Sequence, residues 1–239
     1  MKFGLSLPIH GQLADPKLHM ELAISAEKAN WDGYFVWDHI AWKTETEHVP
    51  VTDPWIALAA IAAHTCRIQI GPMVIPLARR RPWKIARETV ALDQLSNGRL
   101  IVGVGLGAFA QDEFEAFGEE SNPKIRGAML DEALDVLTGL WSGEPFNYQG
   151  THFQLKDTQF LPAPSRPIPV WVAGRLENPG RRKPFRRAAR FDGAFPLAPN
   201  KSAQPEAYAE LKAFVDQHRP NNQPYDIVCE RELSRRGLG

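Results

Sequence analysis

Asp38 and His39 stand together at the end of Gly33 to Trp37, a short apolar run that reads as a β-strand. An imidazole in that place can donate or transfer a proton near neutral pH. The bland alternative is a capping aspartate beside a hydrogen-bonded histidine, and residue type alone leaves both open. Trp42, in the same loop, either shapes a pocket or packs on its rim. His10 follows the first predicted strand and could line the same mouth, although a solvated loop histidine is the expected reading. His19, His48, His64, His152 and His218 show no acidic partners at metal-ligand spacing. HEXXH and CXXC patterns are absent, so no metal site is expected.

Two further stretches suit ligand binding. Gly103, Gly105 and Gly107 punctuate the end of the apolar run Leu100 to Val104 and leave room for a flat ligand, though glycines are also ordinary at strand-to-loop junctions. The spacing lacks the helix-opening context of a dinucleotide fingerprint. Ala173-Gly174-Arg175 combines small residues, which let backbone N–H groups approach a phosphate, with a guanidinium that binds one bidentately. Arg181, Arg182 and Lys183 could add a second anionic contact; a solvated basic helix start is the default. Asp112, Glu113 and Glu115 read as solvated helix residues.

The elements that must position these residues alternate along the chain. The segment Cys66 to Gly107 alone contains a strand, a helix and a second strand. Pro82 sits at a first helical turn, Ile85, Ala86, Val90, Leu92 and Leu95 recur at helical spacing, and Ser96-Asn97-Gly98 stops the helix. Leu100 to Val104 is too apolar to face water and reads as a buried parallel strand. Strands are also predicted at 2–7, 33–37, 169–173, 193–195 and 225–228, and helices at 16–30, 54–64, 126–140, 185–190 and 205–218. Residues 146–161 predict a small hairpin outside the main pattern. Repeated strand–helix alternation predicts a parallel sheet with helices outside it, and the number of repeats selects a barrel over a doubly wound sheet.

A chain of 239 residues fits one large α/β domain. Its 44% hydrophobic and 23% charged residues argue against disorder. Lys plus Arg equals Asp plus Glu at 28 each, so no global positive field recruits nucleic acid or acidic membrane. Cys66 and Cys229 are too few for a disulfide framework and are expected to be reduced and buried. The amino terminus fails as a signal peptide and no stretch reaches a membrane span, which predicts a cytoplasmic address.

FVWDH, GPMV, GVGLG, the AG pair and ARFDG occur in that order, and with them the chain resembles the bacterial luciferase-like family of flavin-dependent oxidoreductases from about Lys2 to about Val228. The branch it most resembles includes users of the deazaflavin coenzyme F-420 (F420). The resemblance implies a TIM-type (β/α)8 barrel, FMN or F420 as cofactor, a small organic substrate and a homodimer formed through the second and third helices. It places Asp38 and His39 beside the reactive face of the cofactor. It puts a non-prolyl cis peptide at Met73-Val74, behind the middle ring of the flavin, and Gly105 on the neighbouring strand end. Ala173, Gly174, Arg175 and Phe195 are implied around the phosphate tail.

Two departures from the family pattern stand out. In some deazaflavin-using dehydrogenases a glutamate acting as an acid follows the glycine loop, whereas the matching position here is Ala108, which speaks against sugar-phosphate dehydrogenase chemistry. The chain also stops after the strand at 225–228, so the barrel is expected to lack its final βα unit. That would leave strand edges for an unusual partner contact or for low stability. The reading is a flavin- or deazaflavin-dependent oxidoreductase or monooxygenase. Its rivals are a non-catalytic flavin-binding or assembly protein derived from the family, and a metal-independent lyase or hydrolase using Asp38 and His39.

Overall fold

A computed structural model describes residues 1–176, 183–198, 205–220 and 223–230. Arg181, Arg182 and the charged tail after Glu230 lie outside the described residues. The chain divides into two compact units, Met1–Ile168 and Pro169–Gly239.

In the first unit, β1 (Gly4–Leu7), β2 (Gly33–Val36) and β3 (Gln69–Pro72) form a parallel sheet in that order. The register runs from Gly4 opposite Gly33 to Leu7 opposite Val36, and from Gly33 opposite Gln69 to Val36 opposite Pro72. A second parallel pair joins β4 (Ile75–Pro76) to β5 (Val102–Gly105), and Ile70 bridges Leu100 in parallel. Both β2 and β5 are buried at every residue, as strands covered on two faces must be. The approach of β3 to the chain entering β5 is so close that a Cβ on Gly71 would sit 1.8 Å from the Ile101 carbonyl oxygen, so only glycine fits.

Helices α1 (Pro16–Lys28), α2 (Pro54–His64) and α3 (Pro82–Leu95) alternate with these strands. Each opens with proline in its first turn, where the missing N–H costs nothing. Asp15 caps α1 through the Lys17 N–H at 2.8 Å, and Asp53 caps α2 through the N–H groups of Trp55 and Ile56 at 2.8 and 2.9 Å. The short α4 (Ala110–Glu113) and the long α5 (Pro123–Trp141) follow β5. The antiparallel hairpin of β6 (Phe146–Gln149) and β7 (Gln154–Thr158) stands outside the parallel pattern, as expected. Away from the strand ends that bear His39, the buried Arg99 uses all five of its donors. They go to the carbonyls of Ala62, Thr65, Ile68 and Ser96 and to the Thr65 hydroxyl.

In the second unit, β8 (Val170–Arg175), β9 (Gly193–Leu197) and β10 (Asp226–Ile227) are parallel, with α6 (Lys183–Ala188) and α7 (Pro205–His218) between them in sequence. The Asp192 carboxylate holds the Val170 N–H at 2.9 Å, which fixes the start of β8.

The cysteines correct the sequence reading: both are exposed. The strand expected to begin near Cys66 begins at Gln69, and Cys66 lies in the preceding turn, its N–H accepted by the Glu27 carboxylate. Cys229 lies beyond the end of β10.

Candidate active site

Three strand ends of the first unit converge on one cluster. The loop after β2 carries Trp37, Asp38, His39 and Trp42; the turn after β4 carries Arg79 and Arg80; the loop after β5 carries Phe109 and leads into α4 with Glu113. In parallel α/β folds these carboxyl ends are where ligands bind.

Glu113 is the hub. Its side chain is 1% exposed, and Oε1 accepts from His39 Nδ1 at 3.0 Å and from the N–H groups of Ile40 and Ala41 at 3.1 and 3.4 Å. Arg79 Nη1 donates to Oε2 at 2.5 Å. Burial raises the Glu113 carboxyl's pKa, but the His39 hydrogen bond and the Arg79 charge outweigh it and leave the pKa below the ordinary value. Glu113 is therefore a carboxylate that can only accept, so His39 Nδ1 carries the hydrogen. Nε2 is then the ring nitrogen left for chemistry.

The Asp38 carboxylate turns instead to the arginines. Arg80 binds it through both oxygens, Nε to Oδ2 at 2.9 Å and Nη2 to Oδ1 at 2.7 Å, and Arg79 Nη2 reaches Oδ1 at 3.2 Å. With its side chain fully buried, Asp38 fixes the two guanidiniums and through Arg79 joins the Glu113 network. His39 is hydrogen-bonded to Glu113, not to its sequence neighbour.

Aromatic rings wall the cluster. His10 stacks on Trp42 with centroids 4.0 Å apart and planes 6° from parallel. His39 meets Trp42 edge-on at 4.8 Å, and Phe109 meets Trp42 edge-on at 4.9 Å. His10 is thus not the solvated loop histidine expected from sequence. Its backbone bridges Val51, and Gly11 N–H donates to the Pro50 carbonyl at 2.9 Å. A cleft of about 280 Å³ is lined by His39, Ile40, Arg79, Arg80 and residues 51–54.

Met73 and Val74 lie on the adjacent strand end, where Met73 N–H donates to the Val36 carbonyl at 2.7 Å, and the peptide between them is cis. Gly105 is buried and pairs with Pro76. The other two glycines of that run serve packing. A Cβ on Gly103 would lie 2.6 Å from the Pro72 oxygen, and one on Gly107, whose φ is +80°, would lie 2.7 Å from Phe114. The room they leave is filled by protein, a correction to the expectation of ligand approach there.

In the second unit Ala173, Gly174 and Arg175 end β8, opposite Phe195, Pro196 and Leu197 of β9. Arg175 is exposed and Phe195 buried. A Cβ on Gly174 would lie 2.7 Å from Pro184 Cβ and 3.1 Å from the Phe185 ring, so the small residue admits α6. Among the described residues no group of three or more His, Cys, Asp or Glu could hold a metal ion. Among them, no helix is long and apolar enough to cross a membrane.

Sequence reasoning missed Glu113, Arg79 and Arg80. The available signal was charge pairing: of the three consecutive arginines behind a strand end, Arg79 and Arg80 take Asp38 and one acid of the 112–115 run as buried counter-charges, while Arg81 is exposed.

This architecture has relatives. The chain is 35% identical over 161 residues to an F420-dependent glucose-6-phosphate dehydrogenase of Amycolatopsis mediterranei, covering 66% of this chain and 47% of that protein. It is 34% identical over 175 residues to the corresponding protein of Tsukamurella paurometabola, covering 72% and 52%. It thus spans about half the length of these curated relatives. An F420-dependent secondary alcohol dehydrogenase, solved with an F420-acetone adduct, superposes with a TM-score of 0.77 at 23% identity, covering 95% of this chain and 67% of that one. Monooxygenase RslO1 from Streptomyces bottropensis superposes with a TM-score of 0.75 at 24% identity, covering 95% and 70%. These two likenesses establish the fold. The model of the luciferase-like monooxygenase family matches residues 1–234, and the chain belongs to that family.

Proposed function

We propose that this protein is an F420-dependent oxidoreductase of the family, built on a (β/α)8-type scaffold, that interconverts a small alcohol and its carbonyl compound. The single observation that carries the reading is the His39–Glu113 hydrogen bond at 3.0 Å, which fixes the imidazole tautomer and leaves Nε2 to move the substrate's proton. The relatives named F420-dependent dehydrogenases support the choice of cofactor. A homodimer through α2 and α3 belongs to the same reading and is supported by Ile56 of α2, 61% exposed.

The residues present suit a flat heterocyclic cofactor. Aromatic faces line the mouth, the buried His10 Nε2 has no hydrogen-bond partner among the described residues, and the strand end at Met73-Val74 stands beside the end of β2. Met73, Val74, Gly105 and the His39 loop would hold the ring system. When bound, F420 supplies a two-electron hydride acceptor or donor. His39 Nε2 takes the hydroxyl proton as an alcohol is oxidised and returns it in the reverse direction. Glu113 holds the ring, Arg79, itself anchored by Asp38, holds Glu113, and Trp42 and Phe109 shield the reacting atoms from water.

Titrating the purified protein separately with F420 and with FMN, followed by visible absorbance and fluorescence, tests the reading. Saturable F420 binding with slower or weaker FMN binding is expected. Binding of neither removes it, and FMN binding with no F420 binding moves the protein to the oxygen-using branch.

A further inference from the structure

Glu113 reaches His39 on a segment that cannot hold its own shape. The chain from Leu106 to Phe114 turns through two left-handed residues, Gly107 at φ +80° and Phe109 at φ +49°. Phe109 is no glycine, so its backbone is strained, and such strain persists only where the surroundings enforce it. The helix that follows, α4, has four residues, too few to be stable alone. It is closed by the Phe109 and Ala110 carbonyls, which accept from the Glu113 N–H at 2.9 Å and the Phe114 N–H at 3.1 Å. The position of the Glu113 carboxylate must therefore be set from outside the segment.

One side chain grips both ends of it. Arg126 stands near the start of α5, the 19-residue helix that packs against α3 and against the turn bearing Arg79. Its Nη1 donates to the Leu106 carbonyl at 3.0 Å, and its guanidinium lies over the Phe114 ring, 4.2 Å from the centroid. Phe114 is fully buried and follows Glu113 directly, and the Arg79 guanidinium that binds Glu113 lies over the same ring at 5.6 Å. Arg126 is 5% exposed, yet among the described residues it has no ion pair, and its Nε has no hydrogen-bond partner. Burial lowers its pKa and the Glu120 charge offsets this only in part, but a guanidinium stays charged at any working pH. A buried cation without a counter-charge is costly, and an apolar side chain of similar length would fill the space without that cost. What an apolar side chain could not do is donate to Leu106.

We propose that Arg126 is a positioning residue for His39: by holding Leu106 at one end of the segment and Phe114 at the other, it keeps the Glu113 carboxylate on His39 Nδ1 and so keeps Nε2 free to take a proton. Arg126 acts through Glu113 and touches none of the reacting atoms. Its charge is retained at a cost in stability because the donor and the ring contact together fix a segment that has no other reason to stay in one place. A shift of about 1 Å in such an array costs about 10²-fold in rate. The consequence for turnover rests on the functional reading above, whereas the consequence for the His39 tautomer does not.

The test uses the full chain labelled with ¹⁵N-histidine. Arg126→Met removes the charge and the donor while keeping an unbranched side chain against Phe114. Without cofactor, the wild type should show His39 as a single tautomer with the hydrogen on Nδ1, and Arg126→Met a mixture of the two tautomers. The variant's melting temperature should stay within about 2 °C of wild type or rise. With F420 and cyclohexanol, its kcat should fall about 10- to 100-fold, with KM changed less than about threefold. Arg126→Lys keeps a charge and a donor for Leu106, and should recover much of the single tautomer and of kcat. A Met variant with wild-type tautomer and kcat overturns the inference, and so does one that loses its cooperative fold, which would make Arg126 a structural residue. A Lys variant no better than the Met variant counts against it equally. If the wild type neither binds F420 nor turns over cyclohexanol, the functional reading falls, while the tautomer measurement, made without cofactor, still decides this inference.

Discussion

Replacing Glu113 with Gln changes one oxygen to an amide nitrogen and removes one charge, and the network shows why neither change is tolerated. Oε1 serves His39, Ile40 and Ala41, while Oε2 serves Arg79. If the Gln oxygen faces His39, its NH₂ group is driven against the Arg79 guanidinium, donor against donor. If it faces Arg79, the NH₂ group meets the N–H groups of Ile40 and Ala41, and His39 escapes only by moving its hydrogen to Nε2, the wrong tautomer for accepting a proton. Either way a buried ion pair loses one partner, which costs about 3–5 kcal/mol. At about 2–4 °C per kcal/mol for a chain of this size, the melting temperature should fall by roughly 6–20 °C. Turnover of cyclohexanol with F420, measured below the variant's melting transition, should fall by about 10²- to 10⁴-fold, with the loss in kcat larger than any change in KM. The pH–rate profile should change as well, because the base has lost the carboxylate that holds it. A Glu113→Gln protein melting within about 2 °C of wild type, with turnover within about threefold, would refute the tautomer argument.

His39→Ala should lower turnover by about 10²-fold or more with F420 affinity changed much less; unchanged turnover would take His39 out of the mechanism. Asp38→Asn should cost about 3–5 kcal/mol in urea unfolding while lowering turnover less than His39→Ala does, since Asp38 anchors arginines rather than the reacting atoms; the reverse order would make Asp38 the chemical group. Gly174→Val should lower the melting temperature of the protein without cofactor by overpacking against Pro184 and Phe185, about 1–3 kcal/mol, whereas a stable variant with weakened F420 binding would show that the glycine serves the ligand instead. Stability should fall with acid in two stages. Burial lowers the pKa of His19, whose ring nitrogens bond the Tyr34 hydroxyl and the Leu13 carbonyl, so its contribution is complete above the ordinary 6.5 and is lost as pH falls through the depressed folded value. The lowered Glu113 pKa adds a second loss, which begins as pH drops below the ordinary 4.5. Urea midpoints measured from about pH 7.5 down to 3.5 check both, and a flat profile would contradict them.

The parts legible in the sequence were those set by local physics. Asp53-Pro54 announces the start of α2 because a cap and a first-turn proline act on the same few backbone groups, and the observed helix spans Pro54–His64 as predicted. The apolar run leading into β5 declares a strand buried on both faces, and proline, apolar spacing and Ser96-Asn97-Gly98 delimit α3. The cis peptide at Met73-Val74 came from the likeness of GPMV to the family's strand end, because no local rule selects a cis bond without proline. What the sequence could not do was choose among like residues. Asp112, Glu113 and Glu115 share one short stretch, and only Glu113 is buried against His39, 74 residues earlier in the chain. That choice follows from how the loop after β5 turns through Gly107 and Phe109 and lies over Phe114, a matter of long-range packing. The same holds for Asp38, whose neighbour in sequence is His39 but whose carboxylate reaches arginines 41 and 42 positions away. His10 became part of the cluster only because the loop bearing Trp42 folds back onto the end of β1. Composition and spacing fixed the elements and the side of the sheet where chemistry belongs; tertiary structure decided which charge meets which, because in a buried network each group's partner is set by the packing of segments far apart in the chain.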